Sequence, residues 1–180
     1  MIKPNLNELF GKSVKFLITS VEKDATFYGQ IEDIGNKFAL LTAELQGFYS
    51  SDKAKSAKNI AVGDYIVAQF TEDLGWYRAR VTSVSGDQIG VFYIDYGNSE
   101  NVNKKSCKRM EKKFSEFAPI LIKCKTNTKD TQTLEKMADE VNCVLVRMLD
   151  EETYLIQMYD NDNKLLFDGD FDETLVKFKD

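Results

Sequence analysis

Residues 64–102 read DYIVAQFTEDLGWYRARVTSVSGDQIGVFYIDYGNSENV, and this stretch decides the fold. Three runs rich in Val, Ile, Tyr, Phe and Trp lie within it, at 65–70, 76–84 and 89–96. Gly75, the Ser85-Gly86-Asp87 trio and Gly97-Asn98 separate or close them. β-Branched and aromatic residues suit a pleated, half-buried surface, whereas Gly, Asn, Asp and Ser suit turns. The pattern predicts a compact antiparallel meander that curls into a small barrel.

The aromatics of this stretch gather where runs begin and end. Phe70 closes the first run, Tyr77 opens the second, and Tyr93 and Tyr96 close the third, with Asn98 just past the Gly97 turn. In a meander the end of one strand lies beside the start of the next, so the four rings can converge on one rim. Several aromatic faces around one small space attract an organic cation through their quadrupoles. The competing reading is that the rings fill a core.

The pieces Phe70, Trp76-Tyr77-Arg78-Ala79-Arg80-Val81 and Val91-Phe92-Tyr93-Ile94-Asp95-Tyr96-Gly97-Asn98 resemble the Tudor domain of extended Tudor proteins. That family includes the multi-Tudor germline proteins and the Tudor–staphylococcal-nuclease protein, and the chain looks most like one germline unit. The resemblance implies a reader of symmetrically dimethylated arginine. It carries the cage to Phe70, Tyr77, Tyr93 and Tyr96, with Asn98 as the polar contact. It also implies the partner: Arg-Gly or Arg-Ala segments, above all the N-terminal tails of Piwi-family Argonaute proteins. With that partner come a scaffolding role in the piRNA pathway, RNA met only indirectly, and a cytoplasmic, perinuclear germ-granule location.

Arg78 and Asp95 stand on the second and third runs among apolar residues. A buried charge is costly unless paired, so the two are expected to pair and to fix the register of the cage strands.

The 180 residues provide enough chain for a real core, as one domain or two small packed ones. A net charge of −5 disfavours a general nucleic-acid binder and suits a basic partner. No apolar run approaches a membrane span, and no signal peptide opens the chain. Cys107, Cys124 and Cys143 are odd in number and lack C-x-x-C spacing, so they read as reduced thiols. With no His, a Cys–His nucleophile or a Cys/His zinc site cannot be built. Asp160-Asn161-Asp162-Asn163 begins like a calcium loop, but Lys164 and Leu165 stand where an oxygen ligand and Gly are required, so it reads as a turn. No catalytic group, metal or cofactor is expected, and the fragment is expected to be a monomer.

Around the meander, 13–21 and 26–34 read as strands that must join others later in the chain. Phe38, Leu41, Leu45 and Phe48 fall at helical spacing, predicting a long joining helix from Asn36, its N-cap, to about Lys58, with a polar end that loops or frays. Residues 103–113 are the most basic stretch, either a solvated surface helix or turn with Met110 inward or a phosphate contact. Residues 117–126 read as a strand and 131–141 as a helix. A hairpin is expected from 142–149 and 153–160, a short strand at 164–167, and a closing element at 171–180.

The fold class is therefore mainly β with helices: a Tudor SH3-like barrel inserted into a second barrel made from the flanking strands. The resemblance names that second barrel a staphylococcal-nuclease-like OB-fold. The expected parts are 1–58, the N-terminal OB portion plus helix; 59–113, the Tudor barrel; and 114–180, the C-terminal OB portion. Two other functions are weighed, an OB-type single-stranded nucleic-acid-binding module and a nuclease. Negative charge opposes the first, and no constellation of Arg and carboxylates supports the second.

Overall fold

A computed structural model describes residues 6, 9–22, 26–31, 35–126, 132, 134, 140–159 and 165–166. The order of elements is β1 (Ser13–Val21), β2 (Phe27–Ile31), α1 (Gly35–Tyr49), β3 (Tyr65–Gln69), β4 (Trp76–Ser85), β5 (Gln88–Tyr93) and β6 (Ser99–Asn103). A 3-10 turn (Lys104–Ser106) follows, then β7 (Cys107–Arg109), α2 (Lys112–Ser115), β8 (Leu121–Lys125), β9 (Glu140–Met148) and β10 (Thr153–Tyr159). The chain is mainly β, as expected.

β1, β2, β8, β10 and β9 form a closed barrel in that order. All of its pairings are antiparallel except that of β10 with β8. The chain leaves this barrel after β2 and returns at β8, building a separate sheet in between. Alternation dictates the strand faces: on β1, Val14, Phe16 and Ile18 turn inward while their neighbours face out or lie part-buried. They meet Phe27, Leu145, Ile156 and Met158 in one core, with Phe16 and Phe27 edge to face at 6.2 Å. Gly29 of β2 has no room for a side chain, since a Cβ there would stand 2.3 Å from the Phe16 ring.

The second sheet has the order β6-β5-β4-β3-β7. Only four Cα steps join Asn103, the end of β6, to Cys107, the start of β7. At roughly 3.5 Å per step they span about 14 Å, whereas the edges of a flat five-stranded sheet lie roughly 19 Å apart at about 4.8 Å per strand. The sheet must therefore curl, as the small barrel expected from the sequence requires, while β6 and β7 stand at its two ends. A register shift between Val81 and Ser83 accompanies the bend of β4.

Several local expectations need correction. The joining helix is shorter than predicted: α1 ends at Tyr49, and the polar residues after it form turns. It already includes Gly35, so Asn36 lies in the first turn rather than at the cap. The third run stops as a strand at Tyr93, because Tyr96 N and Gly97 N both donate to Tyr93 O in a tight turn. The basic stretch is neither one helix nor one turn: it holds the 3-10 turn, edge strand β7 and α2, with Met110 part-buried. Val141, placed at the end of a helix by spacing, pairs with Phe16 in β9 instead. Ahead of β1, Leu6 is buried and Phe10 bridges Leu145. The calcium-like loop 160–163, the closing element 171–180, and all of the predicted 131–141 helix before 140 except residues 132 and 134 lie outside the described residues. The three cysteines are free and buried. Burial pushes the Cys107 and Cys143 thiols up to about 11 and about 12, so both stay protonated.

Close contacts hold the sheet to the barrel, among them the Tyr28 and Phe92 rings at 5.6 Å. Gly97, at φ +88°, lies so close to β2 that a Cβ would meet Tyr28 Cβ at 2.8 Å. Next to it, Gln30 Nε2 donates to Asp95 O at 2.7 Å. α1 also packs on the sheet, setting Leu45 and Tyr49 against Val67, Trp76 and Phe114. Tyr49 OH donates to Arg109 O and accepts from Glu111 N, both at 2.9 Å.

Candidate functional site

The four rings singled out by sequence come together. Phe70 follows β3, Tyr77 is the second residue of β4, Tyr93 ends β5, and Tyr96 stands in the turn after it. Antiparallel pairing brings the ends of these elements side by side. Centroid separations are 6.2 Å for Phe70–Tyr77, 5.5 Å for Phe70–Tyr93, 5.9 Å for Tyr77–Tyr93 and 5.2 Å for Tyr77–Tyr96. Interplanar angles run from 81° to 85°. Phe70, Tyr77 and Tyr93 are thus mutually perpendicular, like three faces meeting at the corner of a box, and Tyr96 stands perpendicular to Tyr77. Rings at right angles can offer one face to the plane of a flat cation and other faces to groups on its edge.

The rings are not equivalent. Phe70, Tyr77 and Tyr96 are half-buried, whereas Tyr93 is only 1% exposed and forms the floor. Asn98 is half-buried as well. Its carbonyl accepts from Tyr93 N at 2.9 Å, and its side-chain amide has no hydrogen-bond partner among the described residues.

Two carboxylates that the sequence reading missed bind the cage hydroxyls. Tyr77 OH donates to Asp73 Oδ2 at 2.5 Å, and Gly75 N donates to Asp73 Oδ1 at 2.8 Å. Tyr93 OH donates to Glu100 Oε1 at 2.5 Å, while Thr71 Oγ1 donates to Glu100 Oε2 at 2.6 Å. A signal for Glu100 did exist: it lies two residues before the buried Val102 on β6, and so on the same inward face. For Asp73 the only signal was its place in the turn between two cage rings.

Helix α1 adds Phe38, which its spacing marks as a packing residue, and Thr42, which no sequence pattern singles out. The Phe38 ring lies 6.0 Å from Tyr96, and Thr42 lines the same crevice as Tyr96. Beside Tyr77 and Tyr96, α1 and β4 leave a narrow crevice lined by Phe38, Leu41, Thr42, Leu45 and Trp76.

Burial raises the pKa of Tyr77, Tyr93 and Tyr96. For Tyr77 and Tyr93 the next cause is the hydrogen bond to Asp73 or Glu100. The rings are therefore neutral phenols at ordinary pH, and the charge at the site comes from the carboxylates.

Arg78 and Asp95 lie directly beneath. Arg78 Nε donates to Asp95 Oδ2 at 2.8 Å and Arg78 Nη2 to Asp95 Oδ1 at 2.6 Å. Arg78 Nη1 also donates to Phe114 O and Phe117 O, and Nη2 to Ala118 O. The pair thus joins β4, the cage turn and the segment leading into β8. Among the described residues no group of three or more His, Cys, Asp or Glu could hold a metal ion.

A family model described as "Tudor domain" matches residues 8–128. The chain belongs to the Tudor domain family. Among curated Tudor relatives, it is 32% identical over 124 residues to Staphylococcal nuclease domain-containing protein 1 of Drosophila melanogaster, covering 64% of this chain and 13% of that protein. It is 31% identical over 130 residues to human Tudor domain-containing protein 7, covering 67% of this chain and 12% of that one. The chain thus spans only a small part of the relatives it matches. Among solved structures, the extended Tudor domain of human TDRD1, in complex with a symmetrically dimethylated peptide, is similar with TM-score 0.77 at 24% identity, covering 92% of this chain and 93% of that one. A complex of Tudor with dimethylated Aubergine gives TM-score 0.74 at 17% identity over 85% and 96% of the two chains. These likenesses establish that the fold is shared with extended Tudor domains. Tudor domains are binding modules, and among the described residues no helix is long and apolar enough to cross a membrane.

Proposed function

We propose that this Tudor domain reads symmetrically dimethylated arginine through Phe70, Tyr77, Tyr93, Tyr96 and Asn98, without catalytic activity. One observation carries the reading: a contiguous set of perpendicular rings, with the Tyr77 and Tyr93 hydroxyls held by Asp73 and Glu100, beside an Asn98 amide that has no partner among the described residues. Dimethylation keeps the guanidinium charge but replaces N–H donors with apolar methyls. Aromatic faces suit both the cation and its methyls, the carboxylates favour positive charge, and Asn98 can meet the guanidinium edge. The peptides bound by the TDRD1 and Tudor neighbours are consistent with this chemistry.

The finer architecture belongs to the same proposal. Residues 59–113 form the Tudor unit, inserted between residues 1–58 and 114–180 of a staphylococcal-nuclease-like OB barrel, and the rest of the peptide runs in the groove between the two. The preferred partner is an Arg-Gly or Arg-Ala segment of a Piwi-family tail. The chain then works as a monomeric piece of a cytoplasmic germ-granule scaffold in the piRNA pathway.

Calorimetric titration with one Arg-Gly peptide in unmodified, asymmetrically dimethylated and symmetrically dimethylated forms tests the reading. The symmetric form should bind tightest. Equal affinity for all three would remove it.

A further inference from the structure

The two most lysine-rich stretches of the central sheet, residues 53–58 (KAKSAK) and 104–109 (KKSCKR), lie 46 residues apart in sequence but side by side in space. Ala57 N donates to Cys107 O at 3.0 Å, Arg109 N donates to Lys55 O at 2.8 Å, and Ser56 bridges Lys108 antiparallel. The segment before β3 thus extends the sheet past its β7 edge. In this register Lys55 stands directly across from Arg109. Like charges directly opposite on a sheet are destabilising, and here the Arg109 charge is offset by Glu111 at 2.8 Å.

The twelve residues of the two segments hold seven cations and no carboxylate. With a whole-chain net charge of −5, the remainder of the chain must carry −12. Charge is therefore segregated, and a net value that argues against polyanion binding conceals a local site that favours it.

The side chains of Lys53, Lys55, Lys58, Lys104 and Lys105 are exposed and have no ion-pair partner among the described residues. The contrast is local. The neighbouring Lys112 pairs with Glu116, Lys113 with Glu44, and Arg109 with Glu111. Lys108 Nζ is turned toward the Trp76 ring, 5.7 Å from its centroid. The carboxylates at the margins are Asp52, Asp87 and Glu111. Lys55 and Lys58 flank the bridged Ser56, Lys53 lies in the turn after α1, and Lys104 and Lys105 lie in the 3-10 turn.

We propose that this strip binds the phosphate backbone of single-stranded RNA. A row of unpaired point charges gathered at one sheet edge suits a flexible polyanion, and Lys supplies charge without the bidentate geometry that reads bases. With no aromatic residue in either segment to stack on, recognition is by backbone alone, independent of sequence and strongly salt-dependent. The strip contains none of the cage residues and does not depend on the methylarginine reading. It gives the domain a direct contact with RNA, in place of one made only through a partner.

Fluorescence anisotropy with a labelled oligouridylate tests the proposal. Binding should strengthen at low salt, with log K falling against log salt at a slope of about −3 to −5, or about 0.7 per neutralised phosphate. The triple variant Lys55→Gln, Lys104→Gln, Lys105→Gln changes exposed side chains only. It should lower affinity by at least about tenfold at low salt and flatten the slope by about 2. Lys12→Gln, an exposed lysine outside the strip, should leave both nearly unchanged. Failure to bind at low salt, a triple variant that binds like the parent, or tighter binding of polyglutamate or anionic vesicles than of RNA would each overturn the proposal.

Discussion

Arg78 and Asp95 face each other through two parallel hydrogen bonds of 2.8 and 2.6 Å, with 1% and 4% of their side-chain surface exposed. The guanidinium spends its remaining donors on three backbone carbonyls between Phe114 and Ala118. One arginine thereby fixes the cage turn and the return of the chain to the closed barrel.

Replacing either partner should unfold this junction. Arg78→Ala or Asp95→Ala leaves a buried charge unpaired, at a cost of roughly 3–5 kcal/mol. Arg78→Lys should also destabilise, because one ammonium cannot make the planar two-point contact. Chemical denaturation measures the effect, and a parent-like midpoint for the alanine variants would show the pair to be dispensable.

Gly97→Ala should weaken the same junction from the other side. At φ +88° a side chain is strained, and its Cβ would press on Tyr28. Left-handed backbone alone costs an L-residue roughly 1–2 kcal/mol. A loss of at least that size in the denaturation midpoint is expected, and an unchanged midpoint would mean that the turn relaxes freely.

Much of this junction is legible in the sequence. Arg78 and Asp95 stand out because charged residues interrupt otherwise apolar strands, and burial makes pairing the economical solution. The four rings are legible because each sits at the end of a run, where meander topology brings ends together. Asp73 and Glu100 were not: alternation puts Glu100 on the inward face with Val102, but only the fold shows which tyrosine either carboxylate meets. The strand β7 was hidden for a related reason: Cys107 is its only buried residue, and lysines surround it. The juxtaposition of 53–58 with 104–109 is a tertiary pairing that local pattern does not encode.

Asp73→Asn should weaken binding of a dimethylated-arginine peptide several-fold while leaving the fold intact. The amide oxygen can still accept from Tyr77, so ring placement survives and only the charge is lost. The difference between Asn and parent should shrink as salt rises, because exposed charges are screened over about 10 Å at 0.1 M. Titrations at two ionic strengths check this, and a salt-independent difference would assign Asp73 a purely geometric role.

Stability should fall in alkali. The folded pKa values of Tyr77, Tyr93 and Tyr96 lie above that of an unfolded tyrosine, about 10. The unfolded chain therefore releases these protons first as pH rises. Their contribution is fully present below about pH 10 and is lost as pH climbs from there through the folded values. Between pH 7 and 9 the rings should contribute no pH dependence to either stability or peptide binding. Denaturation midpoints across pH 7 to 11 measure this, and a stability loss centred below pH 9 would require another group.

The most direct test of the cage is one peptide against two proteins. A peptide with a single symmetrically dimethylated arginine is titrated calorimetrically into the parent and into Tyr96→Ala, whose side chain lies in the half-buried turn rather than in the core floor. Loss of one cation–π face, worth about 0.5–2 kcal/mol, together with admission of water, should weaken binding about tenfold or more, at roughly 1.4 kcal/mol per decade. The unmodified peptide should bind both proteins weakly and equally. If Tyr96→Ala is folded and binds the methylated peptide as tightly as the parent, the rings are packing and not a cage.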